Sequence, residues 1–239
     1  MCISTFTAIP CRIKDWDEEA RALMLLMLPF AGLLLGALWL AVFWLLDRFA
    51  VPFVLGAAVK AVFIFIASGF IHLDGYMDVA DAIGSYRSLE ERRRILKDAH
   101  CGSFAVIAAI ILFLLQFAAF ASSLAYEERM LLFIPFVSRA MSGLFVSTLR
   151  PMPTSQYGGD FQNTVKKSYV AVFVIYVLAA FALSLYWLGL FASVIIVEVL
   201  AHALATAYAY RSLDGMNGDI SGFAICIAEL AAVIAMVVM

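Results

Sequence analysis

Residues 71–102 read IHLDGYMDVADAIGSYRSLEERRRILKDAHCG. Six acidic and five basic side chains crowd into this stretch, directly after the apolar run VPFVLGAAVKAVFIFIASGF at 51–70. Three of the acids, Asp74, Asp78 and Asp81, begin where the apolar run stops. Elsewhere the chain is poor in charge. Of its 239 residues 65% are hydrophobic and 14% charged, and the mean hydropathy is +0.99. Soluble domains sit near about 45–50% apolar and about 25% charged. The composition therefore excludes an ordinary soluble domain and predicts an all-α integral membrane protein, because only helices satisfy their backbone locally in lipid.

A span needs about 20 mostly apolar residues. About seven are read, near 22–46, 51–71, 103–124, 129–149, 168–188, 190–210 and 220–239, with the charged segment between spans two and three forming a cytoplasmic helix. Spans five and six are joined so tightly at YWLGLF that an antiparallel hairpin is expected. No internal repeat or long linker divides 1–239, so one polytopic domain is expected. Alternate segments between spans carry Arg12, Lys14, Arg21, Arg87, Arg92, Arg93, Arg94, Lys97, Arg150, Lys166, Lys167 and Arg211, against Arg48 and Arg129 in the others. Basic residues flank cytoplasmic ends, which places the N-terminus and residues 72–101 in the cytoplasm and the C-terminus outside. The start of the chain lacks the pattern of a cleaved signal peptide. A net charge of −2 excludes no membrane role but gives no reason to expect nucleic acid. The cysteines, Cys2, Cys11, Cys101 and Cys226, lack metal-ligand spacing. Gly32 and Gly36 form a small-xxx-small pair that suits close helix packing.

If the second span continues helically past His72, Asp74, Asp78 and Asp81 lie at i, i+4 and i+7, on one stripe of one helix. Like charges at that spacing repel. They suit either a solvated helix end or a cation. Hard oxygen ligands fit Mg²⁺, Mn²⁺ or Ca²⁺, and Mg²⁺ is usually held by one or two carboxylates plus substrate phosphates. Gly75 removes a side chain where backbone or substrate could come close. Ser88 and Glu91 fit a capping box, and Gly102 can end the helix they start. Arg92, Arg93 and Arg94 suit either anionic lipid or phosphate clamping. Lys97 and Asp98 lie nearer the next span and are candidates for a pocket.

Charges also occur inside spans, where ionisable groups usually face the bundle interior. Arg139, in FVSRAMSG, could grip a phosphate or form a structural ion pair. Glu198 and His202, at i and i+4, read most simply as an internal hydrogen-bonded pair, and Lys60 as a partner of Glu198. Asn217 and Asp219 stand at the mouth of the last span, where Asp219 could cap the helix. Glu229 lies deeper on the same span.

The segment HLDGYMDVADAIGSYRSLEERRRILKDAHCGSF resembles the hallmark of the cobalamin synthase family, the adenosylcobinamide-GDP ribazoletransferases. The resemblance maps onto His72, Asp74, Gly75, Asp78, Asp81, Lys97, Asp98 and Gly102. It extends to Phe6, Thr7 and Pro10, to Pro29, Gly32 and Gly36, to Arg139, and to Arg211, Gly218, Asp219 and Glu229. Ala82 stands where the family commonly has Gly, and Ala99 and His100 replace its Ser-Arg.

The resemblance implies an enzyme of the inner (plasma) membrane, working with Mg²⁺ at a cytoplasmic site as a monomer or homo-oligomer. It would join adenosylcobinamide-GDP to α-ribazole or its 5′-phosphate, release GMP and complete the nucleotide loop of cobalamin, vitamin B12. Asp74, Asp78 and Asp81 would hold the metal. Lys97, Arg139 or Arg211 would stabilise the departing charge, and His72 or a carboxylate would take the hydroxyl proton. Gly75, Asp98, Asn217 and Asp219 complete the expected substrate contacts. Two rival readings are a CDP-alcohol phosphotransferase and a non-enzymatic transporter. DGYMDVADA lacks the Arg of the former's motif and packs its acids tighter. The absence of an inverted repeat and the concentration of charge on one face speak against the latter.

Overall fold

The computed structural model describes residues 2–10, 21–122, 126–153, 155 and 167–239. Cys11, Arg12, Lys14 and Lys166 lie outside them. Among the described residues the α-helices are α1 (Cys2–Phe6), α2 (Arg21–Arg48), α3 (Phe53–Ala67), α4 (Ile71–Gly84), α5 (Leu89–Ile95), α6 (Ser103–Ser122), α7 (Ile134–Thr148), α8 (Lys167–Leu188), α9 (Ser193–Leu213) and α10 (Gly218–Val238). The only described extended pairing is a single bridge between Pro151 and Met216.

Among the described residues, five stretches are long and apolar enough to cross a membrane: Leu23–Arg48, Ser103–Ser122, Glu128–Thr148, Ser168–Leu213 and Gly218–Val238. The pair α3–α4 makes a sixth if it counts as one span. The expected count of seven is not reached in this way, although the hairpin expected at YWLGLF is present. Ser168–Leu213 is one apolar stretch of 46 residues that turns back at Gly189, whose φ is +61°. Its arms run oppositely along α7. Phe173 of α8 packs against Gly143 and Trp187 against Phe133, whereas on α9 His202 stacks on Phe145 and Asp214 pairs with Arg150.

The structure departs from the expectation in the span 51–71. The helix does not run on past His72. It stops at Ala67 and restarts at Ile71, bent by 92°. Gly69 and Phe70 have φ of +66° and +61°, a left-handed conformation that no right-handed helix can contain. The three aspartates therefore ride on a separate helix, α4, whose other faces pack against α6 and α10.

Close approaches hold the bundle. A side chain at Gly32 or Gly36 would collide with the backbone of Pro135 or Leu131, so these glycines let α2 lie directly on α7 and the 3-10 turn before it. Trp39, Phe43 and Phe120 meet edge to face in the core beside α3, the geometry that aromatic quadrupoles favour. Trp39 Nε1 donates to the carbonyl of Lys60 at 2.9 Å. Lys60 itself does not reach Glu198. Its Nζ donates to the Tyr126 hydroxyl at 3.1 Å, lies 3.9 Å from Glu128 and sits over the Phe43 ring at 4.2 Å.

Candidate active site

At one end of the bundle a cleft of about 320 Å³ opens between α1, α4, α7 and the start of α10. His72, Asp74, Lys97, Asn217 and Asp219 line it, with Ser142 and Ser221 on its wall. Segments separated by more than a hundred residues thus meet in one recess.

Each wall has a local cause. α4 is helical through Asp74, Asp78 and Asp81, so the stripe expected from their spacing exists. Only Asp74 of the three lines the cleft. Asp78 lies behind it, and the charges of Asp74, Asp219 and Asp81 all act on it. Asp81 turns toward Gly102, where an added Cβ would strike its carboxylate. Gly102 therefore serves Asp81 and does not end the preceding helix, which stops at Ile95.

Asp219 arrives from α10. Asn217, not Asp219, caps that helix, its side-chain oxygen accepting from the Ile220 N–H at 3.0 Å. The Asn217 amide donates to Asp219 at 2.7 Å, which fixes this carboxylate beside the α4 stripe. Gly75 is why α4 comes so near. A Cβ there would sit 2.8 Å from the Asp219 Cα and 2.9 Å from its carbonyl oxygen, inside any real contact. The gap at Gly75 is filled by Asp219 backbone, a packing role that brings a fourth acid to the stripe. One turn away, a Cβ on Gly222 would sit 2.8 Å from the His72 carbonyl. Two glycines, one on each helix, set this crossing.

His72 is 7% exposed. Phe6 of α1 stacks on its ring, with centroids 6.1 Å apart and planes 10° apart. Its Nε2 has no hydrogen-bond partner among the described residues, an unusual state for a buried polar atom. His72 lines the cleft, and this buried nitrogen is left without a partner inside the described fold.

Lys97 reaches the cleft because α5 is strapped to the end of α9. Ser88 caps α5 by accepting from the Glu91 N–H, as its sequence suggested. Arg93 Nε donates to the Leu213 carbonyl at 3.0 Å and its Nη2 to the Asp214 carbonyl at 2.6 Å. Arg92 donates to the Ser212 carbonyl at 3.3 Å. Cations at a helix C-terminus satisfy its open carbonyls and complement its dipole. Arg92 and Arg93 thus hold a helix end instead of lipid or phosphate, and Arg94 pairs with Glu91 at 2.7 Å. The far wall is tied by the Met152 N–H donating to the Met216 carbonyl at 2.8 Å and the Met216 N–H to the Arg150 carbonyl at 2.9 Å. This places Met152 and Ser155 beside Asn217.

A match to a family model covers residues 1–237, and the model is that of cobalamin-5-phosphate synthase. The chain belongs to the cobalamin-5-phosphate synthase family. It is 35% identical over 238 residues to the adenosylcobinamide-GDP ribazoletransferase of Clostridium perfringens strain 13, covering 98% of this chain and 94% of that one. The enzyme of the same name from Clostridium botulinum strain Alaska E43 is 34% identical over 235 residues, 96% of this chain and 92% of the relative. That of Lachnoclostridium phytofermentans is 30% identical over 241 residues, with 100% and 92% covered. No solved structure matches the chain. This membership speaks against both rival readings.

Several residues singled out in the sequence lie away from the cleft of this family member. Arg139 is fully buried and pairs with Glu229 on α10. Ser138 donates to the same carboxylate at 2.8 Å. Of its two sequence readings, phosphate grip and ion pair, Arg139 adopts the second. Glu198 and His202 make no hydrogen bond to one another. His202 Nδ1 lies 3.3 Å from the Thr206 hydroxyl, and both Glu198 oxygens lack a hydrogen-bond partner among the described residues. Arg211 is exposed at the end of α9 and off the cleft wall. Asp98 faces His100, whose backbone N–H donates at 3.0 Å and whose ring lies at 2.7 Å. These bonds hold the Asp98 carboxyl below the usual carboxylate range.

Phe6, Ser142 and Ser221 were not anticipated as site residues. Phe6 had a signal, since it belongs to the N-terminal element shared with the family. The serines had none, because their partnership is a hydroxyl contact between α7 and α10.

Four carboxylates, Asp74, Asp78 and Asp81 along α4 and Asp219 beside them, gather without a lysine or arginine bonded to any of them among the described residues. Among the described residues, no three His, Cys, Asp or Glu converge there into a finished metal cage. Hard oxygen donors, incompletely convergent and open to a ligand, fit a cation that takes the rest of its shell from phosphate and water.

Proposed function

We propose that this chain joins adenosylcobinamide-GDP to α-ribazole or its 5′-phosphate, releasing GMP and forming adenosylcobalamin or its phosphate. It does so at the cytoplasmic face of the inner membrane. The observation that carries this reading is the cleft itself. In a chain that matches this family from end to end, one recess collects Asp74, Asp219, Lys97 and His72. Arg87, Arg92, Arg93, Arg94, Lys97 and Arg150 belong to the segments at this end of the bundle, and basic residues favour the cytoplasmic side.

The reaction exchanges a phosphoanhydride for a phosphate ester. The α-ribazole hydroxyl oxygen bonds to the cobinamide-side phosphorus, the bridging P–O bond to GMP breaks, and the hydroxyl proton goes to a base. Catalysis of such transfers is chiefly positioning and charge stabilisation. Lys97, across the cleft from Asp74, meets the charge that develops on departing GMP. His72 is stacked on Phe6 with Nε2 uncommitted, and it accepts the hydroxyl proton. Asn217 orients Asp219. Mg²⁺ held by Asp74, Asp78 and Asp219, with Asp81 in support, would neutralise the diphosphate.

The test is GMP release by purified protein from adenosylcobinamide-GDP and α-ribazole phosphate with Mg²⁺, compared with Asp78→Asn. Release that stops in chelator, returns with Mg²⁺ and collapses in the variant is expected. Folded wild-type protein that releases no GMP would reject the reading.

A further inference from the structure

Asp74 borders two recesses. Beyond the cleft it also lines a more open groove of about 530 Å³, walled by Ser4, Thr5, Thr7, Ser68 and Phe70. The two recesses share Ile71 and Asp74. Helix α1 and the residue after it form the partition between them. Phe6 faces the cleft, and its neighbours Thr5 and Thr7 face the groove.

Phe70 is the unusual residue here. Its φ is +61°, a conformation bulky residues avoid and which marks strain when it occurs. The residue is nevertheless 50% exposed, so core burial does not offset the strain. The surroundings hold it there. The Ala8 N–H donates to the Ala67 carbonyl at 2.8 Å, which ties the partition across the bend. The Phe70 carbonyl accepts from the Asp74 N–H at 2.8 Å. An aromatic face is thus held one helical turn from the carboxylate shared by the two recesses.

The recesses differ in charge. The cleft wall carries Lys97, and the described residues walling the groove include no cation. An anionic diphosphate therefore belongs in the cleft. The groove offers an aromatic side chain and a carboxylate, while the Thr7 and Ser68 hydroxyls on its wall donate to the Ile3 and Phe65 carbonyls. That chemistry matches a nucleoside, with a planar base to stack and ribose hydroxyls to bond. We propose that this groove is the acceptor subsite, where Phe70 stacks the base of α-ribazole and the ribose lies toward Asp74. The inference rests on the transferase reading above and adds to it where each substrate sits.

The test is a KM-against-kcat comparison of wild type, Phe70→Leu, Phe70→Asn and Phe70→Trp, with each substrate varied in turn. Loss of the ring in the Leu and Asn variants should raise KM for α-ribazole about tenfold or more. KM for adenosylcobinamide-GDP and kcat at saturating α-ribazole should stay unchanged. Phe70→Trp should keep tight acceptor binding. Asn takes the left-handed conformation readily, so Phe70→Asn should melt at or above the wild-type temperature while binding the acceptor poorly, a combination that a merely structural Phe70 would not produce. A shift in the donor KM alone, a fall in kcat alone, or no change would overturn the assignment. Should wild type release no GMP, binding of α-ribazole to wild type and Phe70→Asn, followed by fluorescence of the base, still judges the groove. Equal binding to both would overturn it.

Discussion

Two places in this protein hold several charged groups, and they treat them in opposite ways. Around Asp74 four carboxylates gather, Asp74 and Asp219 on the cleft wall and Asp78 and Asp81 behind, with no cation bonded to them among the described residues. Around Arg139 the charges are buried and engaged within the bundle, with Glu229 paired to the guanidinium and Ser138 donating to the same carboxylate. The first arrangement stores repulsion that a ligand can relieve. The second relieves its own, because an unpaired charge in lipid has no other recourse. A charge inside a hydrophobic span is thus no guide to chemistry by itself. What distinguishes the two regions is whether the partner lies inside the fold or must come from outside.

The contrast breaks most visibly at Asp74. Asp74→Asn keeps the shape and removes one charge facing both substrates. GMP release at saturating substrate should fall by about 10²–10³, the usual loss when one stabilising group is removed from a preorganised site, with the melting temperature unchanged. An unstable variant with normal turnover per folded molecule would instead make Asp74 a structural residue.

Arg139 should behave in reverse. Removing one partner of a buried pair typically costs about 3–5 kcal/mol of stability, so Arg139→Met should melt well below wild type. Its folded fraction should still turn over substrate at close to the normal rate. Glu198→Gln, at a position whose oxygens lack hydrogen-bond partners among the described residues, should change stability by about 1 kcal/mol or less. Thermal unfolding in detergent separates the three variants, and a catalytic loss in stable Arg139→Met protein would erase the distinction drawn here.

At Lys97 the expected catalytic effect is smaller than at Asp74. Lys97 is exposed, and Lys97→Gln should raise KM for adenosylcobinamide-GDP roughly tenfold, in line with the loss of one charge-assisted hydrogen bond. KM for α-ribazole should not move. Equal shifts for both substrates would mean that Lys97 organises the cleft and does not meet the diphosphate.

Much of the architecture is legible in local pattern. Apolar runs mark α2, α6, α7 and α10, the spacing of Asp74, Asp78 and Asp81 puts them on one face of α4, and Ser88 announces the start of α5. These readings succeed because helical register depends on neighbours three and four residues away. Two expectations fail for non-local reasons. Gly69 hints at a break after the second span, yet the 92° bend also needs Phe70 in a left-handed conformation, which the packing around it stabilises and its residue type does not favour. Arg92 and Arg93 resemble a lipid anchor, and only the end of α9, some 120 residues on, shows what they bind.

By itself the sequence determined a helical membrane protein with its charge gathered at one end, a stripe of aspartates, and membership of a family. Those properties follow from composition, from short-range periodicity and from motif order. Tertiary structure decided which charges face a ligand. It brought Asp219 to Asp74 through the gap at Gly75, turned Arg139 inward to Glu229, and set Asp81 over Gly102. The reason is physical. A residue's own helix sets its direction around the axis, but whether that direction meets solvent, a carboxylate or a glycine is settled by helices packing across long separations in the chain.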